Sequence, residues 1–378
     1  MKVAFYANTE WYLFNFRLPL ARALLEAGHD VVAITPPGPY GPQLERAGLR
    51  WRALPLRRRS ISPALESAHV ARLCRELRLE RPDLLHSFTV KCVVYGALAA
   101  RMTGLPAVIN SLDGLGYVFS SPDRKARLLS PIISRLLRRS TAMKQSRIVL
   151  QNAGDREFLL SRNIAAHQRI RLIEGGVGVD TERFKPVLNG KRHDPPRIVF
   201  ASRLLKEKGI EEFVAAAQIL RRRNVACRFV VAGNPDPGNP GSVSQTQLAE
   251  WREIEGLDLI GHTDDMPGLL ASADIVVLVT DYGEGVPRIL IESAACGVPV
   301  ITSDQAGCRE IVDHGENGLV VRPRDPVALA DAVQTLLADN EMRAAMGRAG
   351  RCKVVDKFDE RAIIARTLDV YRELQPSI

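Results

Sequence analysis

Short runs of β-branched and aliphatic residues recur along this chain, and stretches with helical spacing lie between them. In the first half the runs are Lys2–Ala7, Asp30–Thr35, Arg50–Pro55, Asp83–Ser87, Ala107–Ser111, Arg147–Gln151 and Arg169–Glu174. In the second half they are Arg197–Ser202, Cys227–Ala232, Leu257–Gly261, Ile275–Val279, Val298–Thr302 and Gly318–Val321. A strand covered by helices on both faces reads as a continuous apolar run rather than as an alternation, which is the mark of a parallel sheet. Helical stretches such as Arg17–Ala27 and Ile210–Arg223 separate the runs, so the chain is α/β. Two such series in 378 residues predict two doubly wound, Rossmann-like domains.

The expected join is the polar segment Lys185–Pro196, with three prolines and a glycine just before the run at Arg197. This reading gives domains of residues 1–185 and 186–358, with a final helix at about 359–375 that can cross back to the first. A second Pro/Gly/Ser-rich segment, Asn234–Gln247, reads as a surface loop. No uncharged apolar run approaches the ~18 residues of a membrane span. The apolar N-terminal stretch is broken by Glu10 and Arg17 and reads as a core strand rather than a signal peptide. Six cysteines without a C-x-x-C pair read as reduced thiols of a cytoplasmic protein.

Charge is divided unevenly. The net formal charge is +14 over residues 1–185 and −5 over residues 186–378. A basic half suits nucleic acid, an anionic lipid surface or a phosphorylated substrate. No RNA-recognition, KH or zinc module is present, so nucleic acid is set aside. The segment Arg124–Arg147 interleaves Leu and Ile with Arg at helical spacing, and Leu56–Ser60 adds a second basic cluster. Such a segment reads either as a solvated helix face or as a surface that docks on an anionic bilayer.

The first run is followed by NTEWYLFNF, so the dinucleotide fingerprint G-x-G-x-x-G is absent, as is a P-loop. Anion-binding chemistry lies in the second half. In ASRLLKEKGIEEF a strand ends, Arg203 and Lys208 flank a turn, and a helix begins after Gly209. Two cations beside a helix N-terminus can converge on one diphosphate; alone, they also fit a solvated loop. In DYGEGVPRILIESAACGVPV, Glu284 lies in a strand-end loop and Glu292 two turns into an apolar helix. An acid in such a loop can bind sugar hydroxyls, and one on the following helix can bind a ribose diol; from spacing alone the two also read as surface carboxylates.

The Glu284-to-Glu292 spacing resembles the E-x7-E motif of retaining GT-B glycosyltransferases, and EGVPRILIESAACGVPVITSD with RLLKEKG resembles family 4. QNAGDREFL, LIEGGVGVDTERFKP, NFRLPLARALLEAGHDVVAITP and LDGLGYVF extend the likeness over nearly the whole chain. The N-terminal pieces resemble a bacterial subgroup whose members add N-acetylgalactosamine to an undecaprenyl-diphosphate sugar. The resemblance implies a GT-B fold, two Rossmann-like domains facing a cleft, and transfer from a UDP-sugar with retention of configuration. It implies that Arg203 and Lys208 neutralise the leaving diphosphate, Glu284 holds the donor sugar and Glu292 the ribose. Gly285, Val286, Pro287 and Arg288 would seat the donor, with Gly261 and His262 beside the base.

The same resemblance implies a polyprenyl-diphosphate-linked sugar as acceptor, on the inner face of the cytoplasmic membrane, with no cofactor and no metal. The D-x-D diphosphate clamp of the other transferase fold is absent, and adjacent Asp264 and Asp265 do not fit it. Many relatives place a His where this chain has Asp113, which binds a donor hydroxyl or caps the loop. Asn15, Arg17, His86 and Asp113 are the acceptor-side candidates, although a lone His at a strand end such as His86 is more often structural. Trp11, Tyr12, Phe14 and Phe16 read as aromatic surface for an isoprenoid or a sugar face, or as a staple for the next helix. The rival functions are a UDP-N-acetylhexosamine epimerase of the same fold and a non-catalytic sugar-nucleotide-binding protein at the membrane.

Overall fold

The computed structural model describes the chain apart from residues 58, 59, 61, 116, 121–123, 188–192, 238, 282, 284 and 376–378, and gives only the backbone of residues 117, 120 and 124–126. The chain divides into two units, Met1–Val177 with Glu360–Ile378, and Gly178–Asp359.

In the first unit the strands are β1 (Lys2–Tyr6), β2 (Asp30–Thr35), β3 (Arg50–Ala53), β4 (Leu84–Phe88), β5 (Ala107–Leu112), β6 (Ser146–Leu150) and β7 (Ile170–Leu172). They form one parallel sheet in the order β3-β2-β1-β4-β5-β6-β7. Successive side chains of a strand point to opposite faces. Val3 and Phe5 accordingly enter one core cluster and Ala4 and Tyr6 the other. Burying each large apolar side chain of this kind contributes roughly 1.5–3 kcal/mol. The continuous apolar runs of the sequence are therefore strands buried on both sides.

In the second unit, β8 (Arg197–Ala201), β9 (Arg228–Ala232), β10 (Leu257–Gly261), β11 (Ile275–Leu278), β12 (Val300–Ser303) and β13 (Gly318–Val321) run parallel in the order β10-β9-β8-β11-β12-β13. Phe200, Phe213 and Phe229 stack edge to face or tilted in its core. Local chemistry starts its helices. Ser244 and Gln247 form a reciprocal capping box, and the Asp325 carboxylate accepts the Ala328 N–H ahead of Pro326.

Both sheets reverse direction once in strand order, between β1 and β4 and between β8 and β11. Open α/β sheets bind ligands outside the carboxyl ends of the strands at such a reversal.

The division at Val177/Gly178 lies ahead of the 185/186 join read from composition. Prolines mark where a chain turns, not where a core begins. Phe184 is buried in the second core, Val179 N–H donates to Phe358 O, and Arg351 donates to the carbonyls of Thr181 and Phe184. The final helix, Glu360–Arg372, belongs to the first unit, where Ile363, Val370 and Tyr371 join the core.

Candidate functional site

The exits of β8 and β11 flank the reversal in the second sheet. After β8 the chain passes Arg203, makes a short 3-10 turn over Lys206–Lys208 and enters the helix Ile210–Arg222 through Gly209. Gly209 has φ +83°, and a Cβ there would lie 2.6 Å from the Val279 carbonyl oxygen. Only glycine satisfies both conditions. This close approach joins the two loops: the Glu207 carbonyl accepts the Thr280 hydroxyl at 2.8 Å and the Asp281 N–H at 3.1 Å. Lys208 is thus placed, buried, between the two strand ends. Arg203 is the exposed member of the pair, and its Nη1 lies 2.9 Å from Asp236 Oδ2.

Beyond β11, Gly285 and Pro287 are buried and Val286 packs against the core, leading into the helix Arg288–Ala295. Glu292 is buried on that helix and pairs with Arg288, Nε to Oε1 at 2.7 Å. Burial raises the Glu292 carboxyl above the ordinary Glu range, and the charges of Arg288 and Arg183 offset part of that. Glu284 lies outside the described residues. Gly261 closes β10 with φ +70°, and exposed His262 sits 3.2 Å from Asp264. The structure therefore brings Arg203, Lys208, Gly285–Arg288 and Glu292 onto the two exits at one reversal point.

In the first unit, the N–H groups after β1 are taken by a short helix, Glu10–Tyr12, capped by Thr9, and then by a π-helical stretch, Leu13–Arg17. π-helical turns are rare and concentrate at functional sites. This one delivers Arg17 inward. Arg17 Nη2 donates to Asp113 Oδ1 at 2.6 Å and Nε to the Tyr12 hydroxyl at 2.8 Å, while that hydroxyl donates to Asp113 Oδ2. Gln151 Nε2 completes the set on Asp113 Oδ1 at 2.6 Å. Burial alone opposes the Arg17 cation, but Asp113 and Tyr12 outweigh it and keep it charged. Burial also pushes the Tyr12 phenol up. Asn15 Nδ2 donates to the Trp11 carbonyl at 2.9 Å.

His86 lies in the interior of this unit. Its Nδ1 is 2.5 Å from the Tyr371 hydroxyl and its Nε2 is 2.7 Å from the Ser111 hydroxyl. Burial, with Arg17 nearby, holds the ring well below its usual pKa, so it is neutral. Its bonding is that of a satisfied core histidine. Tyr12, read from sequence as either aromatic surface or a staple for the next helix, spends its hydroxyl on the Arg17–Asp113 pair, whereas Trp11 is exposed. Sequence reasoning missed Gln151, Ser111, Tyr371 and Asp236. Only Asp236 carried a signal, as an acid in a Pro-rich loop beside Arg203's strand.

The helix Arg124–Ser140 carries Pro131 inside it, exposes Leu128 and Ile132, and also exposes Arg127, Arg135, Arg138 and Arg139. Among the described residues, no helix is long and apolar enough to cross a membrane. No group of three His, Cys, Asp or Glu side chains among them is placed to hold a metal ion.

The chain matches the family description "Glycosyl transferases group 1" over residues 181–353 and "Glycosyl transferase 4-like domain" over residues 16–176. It is 25% identical to the N,N'-diacetylbacillosaminyl-diphospho-undecaprenol alpha-1,3-N-acetylgalactosaminyltransferase of Campylobacter jejuni, over 98% of this chain and 98% of that protein. It is 24% identical to the UDP-Gal:alpha-D-GlcNAc-diphosphoundecaprenol alpha-1,3-galactosyltransferase of Escherichia coli, over 84% and 82%. The fold is similar to that of sucrose-phosphate synthase from Thermosynechococcus elongatus, with a TM-score of 0.81, 21% identity and full coverage of both chains.

Proposed function

This chain belongs to the group 1 glycosyltransferases of GT-B fold, and from that premise we propose that it moves a hexose or N-acetylhexosamine, N-acetylgalactosamine first among them, from a UDP-sugar to a polyprenyl-diphosphate-linked sugar. The observation that carries the reading is that Arg203 and Lys208 follow β8 and Glu292 lies on the helix that follows β11, the two strands that flank the reversal in the sheet. Relatives named for undecaprenyl-diphosphate sugars support the choice of acceptor.

In this reading, cleavage of the donor bond builds negative charge on the departing diphosphate. Arg203 and Lys208 are preplaced to meet it, which is the largest electrostatic contribution such a site can make. Buried Glu292 takes the ribose diol, Glu284 the donor-sugar hydroxyls, and the Gly285–Arg288 backbone seats the donor. Gly261 and His262 flank the base. The acceptor hydroxyl bonds to the anomeric carbon on the face that the diphosphate leaves and gives its proton to the departing phosphate, so configuration is retained. The two cations do the work of a metal, so none is required. In the first unit, Asp113, fixed by Arg17 and Gln151, shapes the acceptor end beside Asn15. The basic helix Arg124–Ser140 lays Leu128 and Ile132 into the inner face of an anionic membrane, where the lipid-linked acceptor resides.

The test is turnover of radiolabelled UDP-hexoses and UDP-N-acetylhexosamines with and without membrane extract, in EDTA. Label entering the lipid fraction from one donor is the expected result. Interconversion of the UDP-sugars would replace this reading with an epimerase. UDP-sugar binding without turnover would replace it with a non-catalytic sensor.

A further inference from the structure

Arg203 presents a mechanical difficulty. Its side chain is 58% exposed, and a long exposed Arg samples many rotamers. A cation that must find its position after the diphosphate arrives loses the advantage of being preplaced. Something has to hold it.

The loop after β9 is built for that task. Gly233, with φ +132°, passes so near Ser202 O that a Cβ would clash with it, which brings the loop's backbone directly onto the exit of β8. Three backbone hydrogen bonds then lace the two segments together: Leu204 N–H to Asn234 O at 3.0 Å, Lys206 N–H to Gly241 O at 2.8 Å, and Val243 N–H to Leu204 O at 3.0 Å. Within the loop, Asp236 N–H donates to the Ser242 hydroxyl at 3.0 Å, and Asn239 N–H donates to Asp236 O at 2.9 Å. Pro235, Pro237 and Pro240 restrict the remaining backbone freedom. The Asp236 side chain is only 18% exposed. The carboxylate is the fixed partner and the guanidinium the adjustable one.

We propose that Asp236 is the positioning residue of Arg203, holding the guanidinium by one nitrogen so that its remaining donors face the incoming diphosphate. The contact is single-point, Nη1 to Oδ2, rather than a two-nitrogen fork. A fork would engage a whole edge of the guanidinium; a single-point contact leaves an edge for a phosphate oxygen. Asp236 acts through Arg203 and touches no substrate. The inference rests on Arg203 being a diphosphate ligand, as proposed above.

The test is a double-mutant cycle on UDP binding by calorimetry, with thermal melting as the folding control. Asp236→Ala weakens UDP binding about 5-fold, the size of an exposed ion pair's contribution. Asp236→Asn, which keeps an oxygen acceptor, loses less. In an Arg203→Ala background, Asp236→Ala costs nothing further. Tighter UDP binding in Asp236→Ala would overturn the inference and make Asp236 a competitor for the cation. Equal losses from Asp236→Ala with and without Arg203 would overturn it in favour of a structural loop role. An Arg203→Ala protein that binds UDP normally would overturn the diphosphate assignment itself, and the inference with it.

Discussion

Buried Arg17 and half-buried Asp113, 96 residues apart in sequence, form an ion pair with Nη2 2.6 Å from Oδ1, and Tyr12 and Gln151 supply further hydrogen bonds to the same carboxylate. Removing Asp113 leaves the buried Arg17 cation uncompensated, which costs up to about 3–5 kcal/mol, the value for a fully buried pair. Asp113→Ala is therefore expected to destabilise the first unit by that amount, and Arg17→Met combined with Asp113→Ala by less than the sum of the single changes. Urea denaturation followed through Trp11 and Trp51 reads this directly. Additive losses would show that the two charges do not depend on each other.

Lys208 and Glu292 are buried at the strand exits that carry the proposed donor site. Lys208→Ala and Glu292→Gln should each lower transfer by about 10²–10³-fold, the usual cost of a group aimed at developing charge or at the donor. Cooperative melting should be retained in both, with Glu292→Gln, which removes the partner of Arg288, melting below the parent. Full activity in Lys208→Ala would remove the diphosphate clamp from the mechanism. Because burial raises the Glu292 carboxyl, donor affinity should fall on the acid side at a higher pH than an ordinary Glu would give. The pH profile of UDP binding, compared with that of Glu292→Gln, isolates this effect.

Asp155 opens the helix Ala153–Ser161 and is 8% exposed. Burial pushes its carboxyl up to about 6 despite a hydrogen bond from Asn152. The folded state thus holds this proton more tightly than the unfolded chain does. Its penalty is absent below the unfolded value near 3.8, grows as pH rises toward 6, and is complete above that. At about 1.4 kcal/mol for each unit of pKa, ionised Asp155 costs up to roughly 3 kcal/mol at neutral pH. Asp155→Asn should stabilise the protein at pH 7.5 and hardly at all near pH 4. An equal gain at both values would assign the effect to packing.

On the helix Arg124–Ser140, Leu128 is 74% exposed and Ile132 57% exposed. Each apolar side chain of this size gains roughly 1.5–3 kcal/mol on leaving water. Leu128→Asp with Ile132→Asp should reduce binding to anionic vesicles at least 10-fold, with little effect on neutral ones. Unchanged co-sedimentation would place the membrane-facing surface elsewhere.

The strands were legible because parallel strands buried on both faces leave long apolar runs, and β1, β2 and β8 to β10 fall where those runs do. The places of Lys208 and Glu292 in the fold were legible for a related reason: one lies in the turn after a strand end and the other on the helix after another such end. The Arg17–Asp113–Gln151 cluster was not. It depends on the strand order β1-β4-β5-β6, which brings together the exits of three strands widely separated in sequence. His86, at a strand end, reads from sequence as a cleft residue or, more often for a lone His, a structural one; its side chain points into the face that Tyr371 covers, 285 residues later. Nothing near His86 in the sequence signals that partner. The unit boundary was misplaced because composition reports turns, whereas Phe184 and Val179 belong to the core that follows.

The helix Glu360–Arg372 has a consequence for how this molecule is made. Ile363, Val370, Tyr371 and Leu374 lie in the same core as Val3, Phe5, Leu84 and Phe88. The second unit, Gly178–Asp359, is continuous in sequence and can complete its core as soon as it leaves the ribosome. The first unit is synthesised earlier, and the helices Leu18–Glu26 and Gly41–Arg46 already cover part of this face, but its core is completed only when the helix Glu360–Arg372 arrives. The half made first is therefore the half that finishes folding last.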